Sequence, residues 1–369
     1  LTEPLHTVTV PLGDRTYPIH IGKGLLRRTG ALFVKHGIGR SLVLITDENV
    51  ARHHLRTVLT ALTEKKYSVH VIILPPGEQQ KRLASADRIY TELLRNNVER
   101  SATIVALGGG VIGDLAGFIA ATFQRGIGFV QIPTTLLAQV DSSVGGKVGI
   151  NHSLAKNMIG AFHQPQLVIA DPDALATLPK REMISGMGEV IKYGMILDPA
   201  FFSYIEKNLD RAFARVPNVL MRMVRKSCEL KSYVVSNDEK EQHLRAILNF
   251  GHTIGHALEH AGHFGTLKHG EAILYGMVAE AHIAFRTGML DFRAKERLER
   301  LVQRLPLPAL TPMNVRFHPL MKTMMNDKKT QNGTVRMPLP SAVGTVMLPV
   351  NVDPLFIREA VDYVKVYGA

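Results

Sequence analysis

One cysteine, Cys228, stands in 369 residues, and tryptophan is absent. A single thiol rules out an intrachain disulfide and a thiolate metal cage, so any bound metal must be held by nitrogen and oxygen. A reducing compartment, the cytoplasm, is the expectation for such a chain. The longest apolar runs, such as 42–45 and 71–74, fall far short of the ~20 residues that cross a bilayer, so no membrane span is expected. The first twenty residues hold no apolar core run, and no secretory signal is expected. Acidic residues are outnumbered, 32 against 44 basic ones, for a net charge of +12. The basic residues are scattered with no run of five, and without tryptophan there is little of a stacking platform, so nucleic acid is not the expected partner. A small anionic substrate accounts for part of the excess equally well.

What is present is an ordinary globular composition, 46% hydrophobic, in a chain long enough for two domains. His6–Val10 and Tyr17–Ile21 alternate polar and apolar around Gly13-Asp14 and predict a hairpin. Apolar strands at 41–46, 69–74, 103–107, 129–132 and 167–170 then alternate with helices at 51–65, 83–96, 113–122 and near 136–140. Strands apolar on both faces and separated by helices predict a parallel sheet covered on both sides. After Asp171-Pro172-Asp173 the period becomes helical, over 182–197, 199–209, 219–236, 244–261, 271–286 and 294–305. One strand, 336–339, interrupts this. The boundary is expected between residues 171 and 180.

The strand at 103–107 runs into Gly108-Gly109-Gly110-Val111-Ile112-Gly113-Asp114, formally a G-x-G-x-x-G turn between strand and helix. Glycines there let backbone N–H groups approach a pyrophosphate at a helix N-terminus. No acidic residue follows about twenty positions on, where Pro133 stands, so the first-strand dinucleotide fingerprint is not met. Asp47, past the strand at 41–46, is the better candidate for a ribose hydroxyl. Three other strand ends are also polar, with Asp47, then Glu78 and Lys81, then Thr134 and Thr135. Ligands of open parallel sheets bind beyond such carboxyl ends, and this agreement favours a nucleotide.

In the second half, His252 and His256 lie one helical turn apart, and His260 and His263 extend the row. The H-E-x-x-H pattern of zinc proteases is absent. His269 opens the next apolar helix, and Glu189 sits within another apolar helix, with Lys192 one turn on as its ordinary partner. A carboxylate there is costly unless it is paired or bound to a cation. Glu189 with two histidines makes a three-ligand set with open positions, which suits catalytic Zn²⁺. Asp141, Lys147, Lys156 and Asn157, with Arg125, Lys231, Arg245 and Asn249, are each unremarkable as surface groups but together able to grip a phosphate and a carboxylate.

These residues lie in long collinear stretches, 108–126, 132–151, 155–165, 185–194, 245–259 and 268–277, that resemble the 3-dehydroquinate synthases, a family of sugar-phosphate cyclases. The hairpin and the tail at Asp327-Lys328-Lys329 fit as well. The resemblance implies an α/β N-terminal Rossmann-like domain (1–175) binding NAD and an all-α C-terminal domain (176–369) binding metal and substrate, with the site in the cleft, usually in a homodimer. It implies a divalent metal, typically Zn²⁺ with Co²⁺ an alternative, on Glu189, His252 and His269. Asp47, Asn49, Glu78, Lys81, Gly109, Gly110, Val111, Asp114, Thr134, Thr135, Lys147 and Lys156 are implied to serve NAD. Arg125, Asn157, Lys231 and Lys329 (or Lys328) are implied to bind substrate, and Lys147, Lys192, His256, Asp141, Asn249 and Arg245 to act in catalysis. The implied reaction converts 3-deoxy-D-arabino-heptulosonate 7-phosphate to 3-dehydroquinate and phosphate in the shikimate pathway, through transient oxidation by NAD, phosphate elimination, re-reduction and intramolecular aldol closure. Two positions depart from the family's habit: Gly188 stands where Ala is more usual, and Val148 where Thr is. The alternatives are a cyclase for another sugar phosphate, which needs no carboxylate grip, a metal-dependent polyol dehydrogenase, and a basic nucleic-acid-binding protein.

Overall fold

The computed structural model describes residues 5–261, 266–310, 316–325 and 334–367. These fall into two compact units, Leu1–Pro179 with Ala214–Ser236, and Lys180–Phe213 with Asn237–Ala369.

The first unit opens with the hairpin β1 (His6–Val10) and β2 (Tyr17–Ile21), followed by α1 (Thr29–Lys35). The α/β alternation then runs β3 (Ser41–Asp47), α2 (Glu48–Val50), a π-helical turn, α3 (Arg56–Thr63), β4 (Ser68–Leu74), α4 (Leu83–Arg95), β5 (Thr103–Gly108), α5 (Gly110–Thr122) and β6 (Gly128–Pro133). A second hairpin, β7 (Lys147–His152) and β8 (Ala155–Phe162), precedes β9 (Leu167–Ala170). Among the described residues the main sheet has seven strands, ordered β1-β2-β9-β6-β5-β3-β4, with only β1 and β2 antiparallel. Alternate side chains of each central strand feed opposite cores. Val43, Ile45, Ile104 and Ala106 pack with the α4 and α5 side, and Leu42, Leu44, Val105 and Leu107 with the α1 and α3 side. That is why these strands read as apolar runs without alternation. β3 is flanked by β4 and β5, so the strand order reverses between β3 and β5. Crevices at such reversals are where open α/β sheets take ligands.

The β7–β8 hairpin was not expected as strand. Its centre pairs Gly149 with Gly160, and a Cβ on Gly160 would sit 2.2 Å from the Val148 carbonyl oxygen. The close backbone approach demands glycines, which erase the side-chain pattern that normally announces a strand.

The second unit carries α6 (Lys180–Leu197) and α7 (Pro199–Phe213); α8 (Pro217–Asn237) then lies almost wholly in the first unit. There Ser232 donates to the Thr9 carbonyl (2.8 Å) and Cys228 to the Gln139 carbonyl (3.2 Å). The chain passes between the units near residue 180, and again near 213 and 236. The second unit continues with α9 (His252–Ala261), α10 (His269–Arg286), α11 (Phe292–Gln303), α12 (Phe317–Met325) and α13 (Pro354–Tyr367). It is not purely helical: two short ribbons pair β10 (Arg336–Met337) with β13 (Val350–Asn351), and β11 (Pro340–Ala342) with β12 (Thr345–Val346). The single helix expected over 244–261 is broken. A 3-10 segment, Leu244–Asn249, ends at Phe250, and Gly251 at φ 80 turns the chain into α9.

Candidate functional site

At the carboxyl edge of the sheet, Asp47 ends β3 and accepts the amides of Asn49 (2.9 Å) and Val50 (3.0 Å), which caps α2. The glycine turn follows β5, with Gly109 leading into α5 and Gly110 and Val111 in its first turn. A Cβ on Gly109 would lie 2.9 Å from Thr135 Cγ2, and one on Gly110 3.2 Å from Ser142 Oγ, so bulk is excluded from this cradle. The hydroxyls of Thr46, Thr134 and Ser142 are buried there without a hydrogen-bond partner among the described residues. Orphaned hydroxyls beside a helix N-terminus fit the polar face of a dinucleotide. Lys81 is buried and pairs with Asp114 and the Asn157 side-chain oxygen. Burial pushes the Asp114 carboxyl up, against the pull of the Lys81 ammonium. Glu78 accepts from the Asn151 side chain (2.7 Å), and Asn157, at φ 56, donates its amide to the Asn151 oxygen (2.9 Å). The Thr135 hydroxyl accepts the Ala138 amide (3.1 Å). Lys231 on α8 reaches Asp141 at 2.6 Å and its carbonyl at 2.8 Å. Lys147 and Arg125 are exposed, the latter at φ 66, and Lys156 is half-buried.

The second unit brings Glu189, His252, His256 and His269 together. Glu189 has no exposure, and Lys192, one turn on, forms an ion pair with its Oε2. This is a pairing of charge alone, because neither carboxylate oxygen meets hydrogen-bond geometry with a donor among the described residues. Its Oε1 faces His252 Nε2 at 3.5 Å and His269 Nε2 at 3.7 Å. The three imidazoles offer ligand atoms within 4.8 Å of one another. Their rings lie 5.2 to 5.6 Å apart, centre to centre. His252 donates Nδ1–H to the Phe250 carbonyl (3.1 Å), leaving Nε2 toward Glu189. His269 has Glu259 at 3.6 Å from Nδ1. Burial works against charging His269, but Glu189 and Glu259 outweigh it and lift the imidazole to about 9. A buried carboxylate lacking aligned donors among the described residues, beside three clustered imidazoles, is the environment a divalent ion satisfies.

Glycines set this geometry. A Cβ on Gly270 would meet the Ser185 carbonyl oxygen at 1.8 Å, and one on Gly188 the Gly270 oxygen at 2.8 Å. So α6 and α10 touch backbone to backbone beside Glu189 and His269, and the Gly at 188 follows from that contact. Gly276 meets the Gly251 oxygen in the same way, at 1.9 Å, closing α9 on α10. Val148 lies against Gly117 of α5.

Arg245 is buried; its amide donates to Asp238 (2.9 Å) and its guanidinium to the Glu239 carbonyl (2.5 Å). Asn249 donates to Glu241 (2.8 Å). Lys329, Lys328 and His263 lie outside the described residues, and His260 is exposed. Glu241, Glu259, Thr46 and Ser142 join these groups and are not among the candidates named from the sequence. Glu259 follows His252 by seven residues and His256 by three, so the helical period marks it; nothing local marks the others.

A solved 2-deoxy-scyllo-inosose synthase, in complex with carbaglucose-6-phosphate, NAD⁺ and Co²⁺, matches 98% of this chain and 99% of its own, with TM-score 0.87 and 26% identity. A 2-epi-5-epi-valiolone synthase from Streptomyces hygroscopicus subsp. jinggangensis, with NAD⁺ and Zn²⁺ bound, matches 96% of this chain and 98% of its own, at TM-score 0.87 and 25% identity. The fold is that of the sugar-phosphate cyclases. Residues 71–185 match the family model for the 3-dehydroquinate synthase N-terminal region and residues 186–330 the C-terminal one. A 3-dehydroquinate synthase from Desulforamulus reducens is 45% identical over 340 residues, 92% of this chain and 95% of that protein. The chain belongs to the 3-dehydroquinate synthase family.

Proposed function

We propose that this chain converts 3-deoxy-D-arabino-heptulosonate 7-phosphate to 3-dehydroquinate and phosphate, with its metal on Glu189, His252 and His269. The observation that carries the metal assignment is the buried Glu189 carboxylate, without aligned donors among the described residues, facing two imidazoles at 3.5 and 3.7 Å. His256 stands in the same cluster, with a ring nitrogen within 4.8 Å of those of His252 and His269. The sheet-edge cradle receives NAD in this reading, through Asp47, Asn49, Glu78, Lys81, Gly109, Gly110, Val111, Asp114, Thr134, Thr135, Lys147 and Lys156. When bound, the dinucleotide supplies a reversible hydride acceptor and the divalent ion acidifies the hydroxyl to be oxidised.

The chain's own residues do the holding. Lys147, Asn157, His256 and Lys329 serve the phosphate, with Arg125 from a neighbouring copy in a homodimer. Lys231, Arg245 and Asn249 hold the carboxylate, and Lys192 and Asp141 the ring hydroxyls. The phosphate's own oxygens take the C–H proton during elimination, so no side-chain base is required. Holding one flexible substrate in a near-attack shape replaces a bimolecular encounter in the closing aldol step. The NAD role falls to residues 1–175 and the metal role to 176–369, which also supply Lys192, Lys231, Arg245, Asn249, His256 and Lys329 for the substrate. Cytoplasmic residence fits the lone, buried thiol, and no helix among the described residues is long and apolar enough to cross a membrane.

The test supplies purified protein with the heptulosonate phosphate, NAD⁺ and Zn²⁺, following phosphate release and carbocycle formation. Both are expected, without net change in nicotinamide absorbance. Both should stop after EDTA and return with Zn²⁺ or Co²⁺. Accumulating NADH without phosphate release would point instead to a polyol dehydrogenase.

A further inference from the structure

Glu280, in the fourth turn of α10, has no solvent exposure. Its Oε2 accepts the Gly251 amide at 2.6 Å and its Oε1 the Ile254 amide at 3.3 Å. These are donors of the first turn of α9, which have no carbonyl partner within their own helix. A helix usually meets them with its own cap residue, but the residue ahead of His252 is Gly251, which has no side chain to offer. The acceptor comes instead from α10, and an acidic group at that end also suits the helix dipole. Between the two anchored amides lie His252 and Thr253, and the His252 ring is tied at Nδ1 to the Phe250 carbonyl. Gly276, one turn before Glu280, lets α10 approach the same point. The start of α9 is thus clamped by a side chain and by a backbone contact.

The geometry points to Glu280 as a positioning residue for the metal centre. It fixes the backbone of His252 before any ion arrives, so that Nε2 faces Glu189. This deepens the metal reading above and rests on it. The parallel at the other imidazole is close: Glu271 accepts the Lys268 amide (2.7 Å) at the start of α10, just ahead of His269, and is itself held by Arg181 at 2.7 and 2.8 Å. Nothing in the sequence pattern assigns Glu280 a task. It is a carboxylate in an apolar helix, as Glu189 is, and its oxygens accept the backbone amides of Gly251 and Ile254.

The experiment titrates metal-free protein with Co²⁺, reading the visible d–d bands and the affinity by competition with a chelator. Glu280→Gln keeps the volume and one acceptor and is the main variant; Glu280→Ala removes both acceptors. Glu299→Gln, at a buried carboxylate on α11 bonded to Lys295 and Tyr363, is the control for general loss of stability. Glu280→Gln should weaken Co²⁺ binding by at least about tenfold and alter the bands, with Glu280→Ala worse. Glu299→Gln should lower the melting temperature and leave both readings unchanged. An affinity and spectrum within twofold of native for folded Glu280→Gln would overturn the role. In the native chain without metal, the Gly251 and Ile254 amides should resist hydrogen exchange. Free exchange there would overturn the role with no variant needed. A native chain that takes up no Co²⁺ would remove the metal centre itself and this inference with it, whereas normal native uptake with unaltered variants removes only the inference.

Discussion

Arg245 is almost without exposure, and its backbone is held by one side chain. Asp238 accepts the amides of Gln242 (2.9 Å), His243 (2.7 Å) and Arg245 (2.9 Å). Burial nudges the Asp238 carboxyl up, but these donors outweigh it and leave it below the usual range. The guanidinium is therefore presented from a fixed turn rather than from a floppy stem. If it grips the substrate carboxylate, Arg245→Ala should raise KM for the carboxylated substrate roughly ten- to hundredfold, the usual loss for a hydrogen bond to a charged group. Steady-state kinetics with an analogue lacking the carboxylate should show little loss, and equal losses for both would count against the assignment. Arg245→Lys should recover only part, because an ammonium lacks the planar fork. At this scale the sequence was most legible where a residue broke its surroundings. Glu189 announces itself as a charge inside an apolar helix. Glu280 carries the same signal, yet its spacing to α9 is visible only once the helices are packed. His256 lies on the expected helix face, but whether its ring serves an ion or a phosphate is not written in an i,i+4 spacing.

Helices bring these side chains together only where they can touch. The closest contact is between α6 and α10 at Gly270, where an added Cβ would lie 1.8 Å from a backbone oxygen and 2.5 Å from its carbon. Backbone cannot swing aside as a side-chain tip can, so the helices must separate or tilt. Gly270→Ala should destabilise the chain by about 1–3 kcal/mol or more, the range for overpacking a dense interior. Gly288→Ala makes a useful comparison. Gly288 sits at φ 74 with nothing within 4 Å of a Cβ. It should lose only the roughly 1–2 kcal/mol of a left-handed backbone. Urea unfolding of both variants checks this, and a smaller effect at Gly270 than at Gly288 would mean the contact is looser than drawn. Elements with strong periodicity were legible in advance: the first hairpin and β9 have the expected bounds, and most other strands extend by a residue or so. The β7–β8 hairpin and the break at Gly251 were not, since both are made by glycines whose meaning is the backbone that approaches them.

Across the whole chain, the alternation of strand and helix foretold a parallel sheet, and the change of period near residue 180 foretold the helical unit. The membership of α8 was hidden, because its period says that one face is buried but not in which core. Net charge of +12 and sixteen histidines also set how the molecule meets acid. His20 and His36 share a contact, Nε2 to Nε2 at 2.7 Å, and His20 Nδ1 lies 3.0 Å from the Thr7 hydroxyl. At least one imidazole must be neutral for that contact to be a hydrogen bond. Burial first, then the charges of His36, Lys35 and Arg28, push His20 down to about 4 from 6.5, and burial with Lys35 lowers His36. The folded chain then binds fewer protons here than the unfolded chain between those two values. Stability from the pair is complete above about pH 6.5 and drains away as pH falls toward 4. Urea midpoints of the metal-free chain, taken from pH 7.5 down to about pH 4.5, should fall across that window. His36→Gln can still donate to His20 but removes one titrating ring and one positive neighbour, so its midpoint should fall less steeply. An identical slope in native and variant chains would show that the acid sensitivity arises elsewhere.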